Sequence, residues 1–314
     1  MSGVSNEKVL RIGLVGLGKI ARDQHVPAIA ASTAFELVAT VDPGAEGLED
    51  VPHFADLDAM LDDEVRVDAV AICTPPRLRA DLARRALSAG LHVMLEKPPA
   101  ASVGEARSLL EHAHSERRTL FAAWHSREAA GVDAARAWLS DKAIRDVSIT
   151  WKEDVRVWHP GQDWIFQEGG FGVFDPAINA LSIATAILPG EWSVDTARLD
   201  IPSNCSAPIA GQVAMTQGGS VPVTLDMDFL QTGPQIWDIA VETDAGPLLL
   251  SEGGAVLRLP QDERRGADTE YPRLYDRFAE LVGTGESDVD CVPLALVEAA
   301  LSIGERREVS AFFE

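Results

Sequence analysis

The sequence predicts an α/β protein in two parts. A doubly wound parallel sheet comes first, and an α+β domain on a large open, mostly antiparallel sheet follows. Three observations predict this. Short strands alternate with helices through the first 124 residues. Those strands are nearly continuous apolar runs, as expected where helices cover both faces of a parallel sheet. After residue 125, strand-like segments follow one another too closely for crossover helices, which favours antiparallel pairing. With 314 residues, the chain is long enough for two cores, divided here as 1–124 and 125–314.

The elements read in order as follows. Residues 9–15 form a strand, Gly16-Leu17-Gly18 breaks it, and a helical pattern runs to about Ala31. Phe35 to Val41 is a strand, and Leu57 to Leu61 suits a short helix. The apolar strand Val67 to Cys73 is broken by Thr74-Pro75-Pro76. A helix over 77–89 stops at Gly90, Leu91 to Leu95 is a strand, and Glu96-Lys97-Pro98 follows it. A helix from Val103 to Glu116 and a strand from Thr119 to Trp124 complete the first part. In the second part, helices are predicted over 129–141, 176–188, 271–283 and 293–304. Strands are predicted over 145–157, 192–202, 208–218, 221–231, 235–243, 247–251 and 255–259, punctuated by glycine and proline turns.

Composition excludes several classes of function. Twenty-seven basic against 49 acidic residues give a net charge of −22, which repels nucleic acid and anionic lipid and suits a neutral substrate. No apolar run reaches bilayer length, and the N-terminus lacks the pattern of a secretory signal. Cys73, Cys205 and Cys291 are few and far apart, so free thiols in a reducing cytoplasm are expected. The seven histidines show no metal-ligand spacing, and no metal is expected.

Gly16-x-Gly18-x-x-Ala21, with Lys19 and Ile20 inside it, lies between a strand and a helix. The first glycine allows a tight turn, the second lets backbone approach a pyrophosphate, and the alanine lets helix and strand pack closely. The first part therefore reads as a Rossmann domain that binds a nicotinamide dinucleotide. Asp42 ends the second strand, where a carboxylate can bind the adenosine ribose. It repels a 2′-phosphate, and Pro43 stands where an arginine could bind one, so NAD is preferred over NADP. A turn residue before Pro43 is the plainer reading of Asp42.

Glu96-Lys97-Pro98-Pro99 follows a parallel strand whose carboxyl end faces the cofactor crevice, which places Lys97 near the nicotinamide. The glycine loop, Thr74-Pro75-Pro76 and the Glu-Lys-Pro segment together resemble the Gfo/Idh/MocA oxidoreductases of sugars and cyclitols. GKIARDQHVPAI (18–29), HVMLEKPP (92–99), WHSR (124–127), WKEDVRVWHPGQ (151–162) and GVFDPAINALSI (172–183) look like that family's bacterial aldose 1-dehydrogenases. The resemblance implies NAD(P)-dependent oxidation of L-arabinose, D-galactose or D-fucose at C1. Other sugar or inositol dehydrogenation, and a dinucleotide-binding regulator without turnover, are the alternatives.

The family often carries an Asp and a His four residues apart behind a Gly-Gly turn. Here Gly169-Gly170 precede Asp175 and Asn179, which share a helix face. Asp175 before Pro176 also reads as a helix N-cap. Asparagine in place of histidine leaves Lys97 or Asp175 as the base. Glu153 and His159 lie in a Trp-rich stretch (Trp151, Trp158, Trp164) that suits a sugar, whose C–H faces lie on indole. His125 ends the last strand of the first part, and Trp237 is a further candidate wall. Glu153, His159 and Asn179 are expected to hold ring hydroxyls. In this family the open sheet face usually pairs subunits, so a homodimer or homotetramer is expected.

Overall fold

The structure, a computed structural model, describes residues 9–313. The extreme residues of the two expected domains, 1–8 and 314, lie outside the described residues. The chain divides into two compact units. One runs to Ala123 and takes in Tyr271–Asp290 as well; the other comprises Trp124–Glu270 and the chain from Cys291 onwards.

Among the described residues, the first unit holds a six-stranded sheet: β1 (Leu10–Val15), β2 (Phe35–Val41), β3 (His53–Phe54), β4 (Ala69–Ile72), β5 (His92–Glu96) and β6 (Leu120–Ala123). The spatial order is β3-β2-β1-β4-β5-β6, and every pairing is parallel. This is the doubly wound order, and its direction reverses between β1 and β4. The strands read as apolar runs because both faces are covered. One core cluster joins Ile12, Leu14, Ala69 and Met94 to helix residues such as Ile29. The other joins Val15, Val70, Ile72 and Val93 to Met60, Ala83, Leu87 and Leu109.

The helix Glu270–Thr284 corrects the expected domain division, which assigned 271–283 to the second part. Its buried stripe of Tyr271, Leu274, Tyr275, Phe278 and Leu281 packs on the parallel sheet. Phe278 stacks on both Phe35 and Phe121. On this face of the sheet the other helical cover is short: a π-helical turn Ala21–His25 running into Val26–Ala31. A remote helix therefore completes the cover, and linear order does not reveal it.

In the second unit a mixed sheet follows the order β14-β13-β12-β11-β7-β10-β9-β8-β15, nine strands among the described residues. They are β7 (Ile144–Lys152), β8 (Trp192–Pro202), β9 (Ala210–Gln217), β10 (Val221–Asp228), β11 (Ile236–Thr243), β12 (Gly246–Ser251), β13 (Val256–Leu259), β14 (Asp262–Arg265) and β15 (Glu305–Val309). Only the β10–β7 and β15–β8 pairings are parallel. The helices Val132–Leu139, Phe174–Ile187 and Val292–Ile303 pack on one another and on the sheet. The strands alternate accordingly: Val147, Leu199, Val213, Val223 and Val241 are buried, while Ser148, Arg198, Gln212, Thr224 and Glu242 are exposed.

The strand expected over 145–157 stops at Lys152, and Val155–Trp158 forms a helical turn that Asp154 caps through the Arg156 amide. The edge strands β14 and β15 were not predicted, because Asp262–Arg265 and Glu305–Val309 carry charges without apolar alternation. No helix among the described residues is long and apolar enough to cross a membrane.

Candidate active site

Gly16, Thr74 and Lys97 follow β1, β4 and β5, three strands that are neighbours in the parallel sheet. Their carboxyl ends share one edge, at the crevice where the strand order reverses. Gly16 has φ of +90°, and a Cβ there would stand 2.9 Å from the Thr74 amide nitrogen, so only glycine fits. A Cβ on Gly18 would meet nothing within 4 Å, which leaves the backbone there open to a close-lying group. Ala21 is buried, whereas Lys19 and Ile20 are exposed and Lys19 pairs with Asp23. Pro75 precedes the helix Pro76–Ser88, and Thr74 Oγ1 is buried without a hydrogen-bond partner.

Asp42 holds the turn after β2, as its plainer reading expects. Its Oδ2 accepts from the Leu17 amide at 2.9 Å, and its Oδ1 accepts from the Gly44 and Ala45 amides at 2.9 Å each. Burial alone would raise its pKa, but those three amides and nearby His53 hold it below the usual carboxylate range. A carboxylate has about four acceptor positions, so capacity remains for a ribose hydroxyl. The tight Gly16 turn, the open approach at Gly18, the ionised Asp42 and the unpartnered Thr74 hydroxyl fit a dinucleotide.

Lys97 is half-buried, and its segment is braced from below. The Lys97–Pro98 peptide is cis. The Glu96 side chain, 3% exposed, accepts from the Lys97 amide at 2.9 Å through Oε2. Its Oε1 accepts from Tyr271 Oη at 2.7 Å and meets His25 Nε2 at 3.0 Å. His25 is fully buried, and its Nδ1 lies 2.8 Å from Tyr275 Oη. Burial disfavours a charged His25, yet Cys73, Tyr275 and the Glu96 carboxylate raise its pKa well above the ordinary value. Burial likewise pushes Tyr275 up to about 12. The buried Arg79 donates to the carbonyls of Thr74 (2.7 Å), Glu96 (2.6 Å) and Pro98.

Sequence reasoning missed His25, Arg79, Tyr271 and Tyr275. His25 follows the polar run Arg22-Asp23-Gln24, so no local pattern marks it as buried, and its partners stand 71 and 250 residues away.

In the second unit the structure brings Glu153, His159 and Trp237 together. Glu153 is 2% exposed; its Oε1 lies 2.8 Å from His159 Nε2, and its Oε2 accepts from Trp237 Nε1 at 2.8 Å. Trp237 stacks on Trp151 at 5.8 Å, and Trp158 lies 4.7 Å from it in a tilted contact. Trp151 and Trp237 face each other directly across β7 and β11, which explains the stack. Trp164 sits apart in a short 3₁₀ turn, Asp163–Ile165.

Asp175 is buried and Asn179 partly exposed, one turn apart on the helix Phe174–Ile187. The N-cap expectation for Asp175 is corrected. The helix begins at Phe174, so Asp175 lies in its first turn, and its amide donates to the Gly172 carbonyl at 2.9 Å. Pro176 is still tolerated, because the first four helical amides have no intrahelical partner. The approach to this helix needs glycine: a Cβ on Gly172, at φ +55°, would stand 2.1 Å from the Pro208 carbonyl oxygen. His125 lies just beyond β6 in the short 3₁₀ helix His125–Glu128, with Nδ1 2.5 Å from Glu270.

Comparison with known proteins identifies the family. The sequence pattern described as an oxidoreductase family with an NAD-binding Rossmann fold, Gfo/Idh/MocA, matches residues 10–123. Galactose 1-dehydrogenase of Pseudomonas fluorescens is 42% identical over 97% of this chain and 99% of its own length. The crystal structure of a D-galactose 1-dehydrogenase from Rhizobium etli is 47% identical, covers 100% of both chains and superposes with a TM-score of 0.94. A 3-ketoreductase from Actinomadura kijaniata, 18% identical over 96% of this chain and 100% of its own, shares the fold with a TM-score of 0.81. With the glycine loop, Asp42 and the Glu-Lys-Pro segment in place, the chain belongs to the Gfo/Idh/MocA family of NAD(P)-binding oxidoreductases.

Proposed function

We propose that the protein oxidises a cyclic aldose at C1 to the aldonolactone, with D-galactose as the first substrate to test. The observation that carries this reading is Lys97 at the carboxyl end of β5, beside the strand ends that bear Thr74 and the glycine loop. The full-length similarity to two galactose 1-dehydrogenases supports it.

Bound NAD supplies the acceptor for the C1 hydride. Lys97 takes the C1 hydroxyl proton, with Asp175 as its partner or the competing base. The brace beneath Lys97 fixes its backbone. His159 and Asn179 hold ring hydroxyls, with His125 as a further polar contact, while Trp237 offers its face to the C–H side of the ring. Both Glu153 oxygens already serve His159 and Trp237, so its part is to orient those two groups. Asp42 selects NAD over NADP. L-Arabinose and D-fucose belong in the same test, because L-arabinose matches galactose at C2, C3 and C4. The enzyme acts in the cytoplasm as a homodimer or homotetramer paired through the open sheet face.

A panel of aldoses and cyclitols with each cofactor, followed at the NADH absorbance, tests this reading. Turnover of galactose with NAD supports it. Turnover of a cyclitol alone overturns it.

A further inference from the structure

We propose that Arg79 is a positioning residue for Lys97. This inference rests on the reading of Lys97 as the proton acceptor. Arg79 lies on the helix Pro76–Ser88, 5% exposed. Its Nε donates to the Thr74 carbonyl at 2.7 Å, and its Nη1 donates to the Glu96 carbonyl at 2.6 Å and to the Pro98 carbonyl. Two of these carbonyls flank Lys97, one on each side. The third belongs to the turn after β4. One guanidinium therefore sets the spacing between the Thr74 turn and the Lys97 segment.

The chemistry requires an arginine. Guanidinium keeps its charge and offers five donors in a fixed planar fork, so it can bridge carbonyls in one plane. A buried charge is costly unless its donors are used. Plain packing between helix and sheet does not need that charge, since the same helix fills its other inward positions with Ala80, Ala83, Ala86 and Leu87. The Glu96 carboxylate adds a separate restraint by accepting from the Lys97 amide, with His25 and Tyr271 holding that carboxylate in turn. Lys97 is thus held at its own amide and at the carbonyls before and after it.

Arg79→Lys keeps a cation and a long stem but loses the fork, and Arg79→Gln keeps two donors without charge. Each variant is to be assayed with galactose and NAD, and its melting temperature measured. Misplacing a reacting group by about 1 Å costs roughly a hundredfold in rate, and a fall of that order in kcat is expected for Arg79→Lys. The galactose KM and the NADH dissociation constant should change little. The second readout does not depend on turnover. The chain has only five lysines, so acetic anhydride labelling resolved by peptide mass spectrometry reports Lys97 separately. Its labelling rate should change several-fold in both variants, while Lys142 and Lys152 stay as in the wild type.

A folded Arg79→Lys with wild-type kcat and unchanged Lys97 labelling overturns the proposal. Activity lost only in proportion to folded protein, with labelling unchanged, overturns it too. A wild-type protein that turns over no aldose removes the functional reading. The labelling comparison then still decides whether Arg79 sets the surroundings of Lys97.

Discussion

The two units use the same device for different ends. In the first, the buried Glu96 joins a histidine and a tyrosine hydroxyl, His25 and Tyr271. In the second, the buried Glu153 joins a histidine and an indole N–H, His159 and Trp237. The difference lies in what surrounds each histidine. His25 is fully enclosed and spends its second ring nitrogen on Tyr275. The His159 side chain keeps 15% of its surface exposed, and Trp237, with Trp158 tilted against it, is only half-buried. The first brace is closed and holds backbone in place. The second is partly open and orients side chains that can meet a ligand.

The largest effect is expected at the group that the closed brace supports. Lys97→Ala should lower kcat by roughly 10³-fold, within the range for losing a general base, while the NAD dissociation constant changes little. Steady-state kinetics with a cofactor binding titration checks this, and a near-normal kcat would remove Lys97 from the chemistry.

Next come the two glutamates, which test the comparison directly. Glu96→Ala strands a buried histidine, a tyrosine hydroxyl and the Lys97 amide. Breaking a buried charged pair in this way costs about 3–5 kcal/mol, and urea denaturation should show it. Glu153→Gln leaves one carbonyl oxygen to serve two donors. Its main expected effect is a sugar KM raised about tenfold, the size of one lost hydrogen bond to a charged group, with a smaller change in stability. If Glu153→Gln unfolded the protein as readily as Glu96→Ala while leaving KM alone, the two braces would be equivalent and the distinction would fail.

The same contrast explains what could be read from sequence. The glycine loop, Asp42 and Lys97 were legible because each follows a strand end, and strand ends are marked locally by apolar runs that stop at Gly, Pro or Asp. The dyad of Glu153 and His159 was legible only as a polar pair among tryptophans, since its geometry depends on the helical turn Val155–Trp158, where a strand was expected. The closed brace was not legible at all. His25, Glu96 and Tyr271 come from three distant segments, and the helix that brings Tyr271 was assigned to the wrong half of the chain. Sequence periodicity shows that this helix has a buried face but not which sheet receives it. Likewise Arg79 reads as one more charge in an arginine-rich helix until its three carbonyl partners are seen.

Asp42 gives a moderate effect with a clear sign. Asp42→Ala removes the carboxylate proposed to bind the ribose and frees three amides, so KM for NAD should rise by about tenfold, again the scale of one charged hydrogen bond. Discrimination against NADP should shrink, because the charge that repels a 2′-phosphate has gone. Unchanged relative kcat/KM for the two cofactors would confine Asp42 to its turn.

The smallest effect belongs to the other end of β5. Glu96 closes that strand and His92 opens it. His92 is half-buried, and its Nδ1 accepts from the Thr119 amide at 3.1 Å, so the ring is held neutral. Burial and the nearby Arg118 lower its pKa to about 4, against a partial opposing effect of Asp68. The sign follows from proton linkage: between the ordinary histidine value and about 4, the unfolded chain binds a proton that the folded chain does not. Stability should therefore decline as pH falls through that window and be unaffected by this group above it. His92→Asn retains an acceptor for the Thr119 amide without a titrating ring. The difference in melting temperature between wild type and His92→Asn should then stay constant near neutral pH and move in favour of the variant as the solution is acidified. A difference that stays constant through acidification would show that His92 does not sense pH.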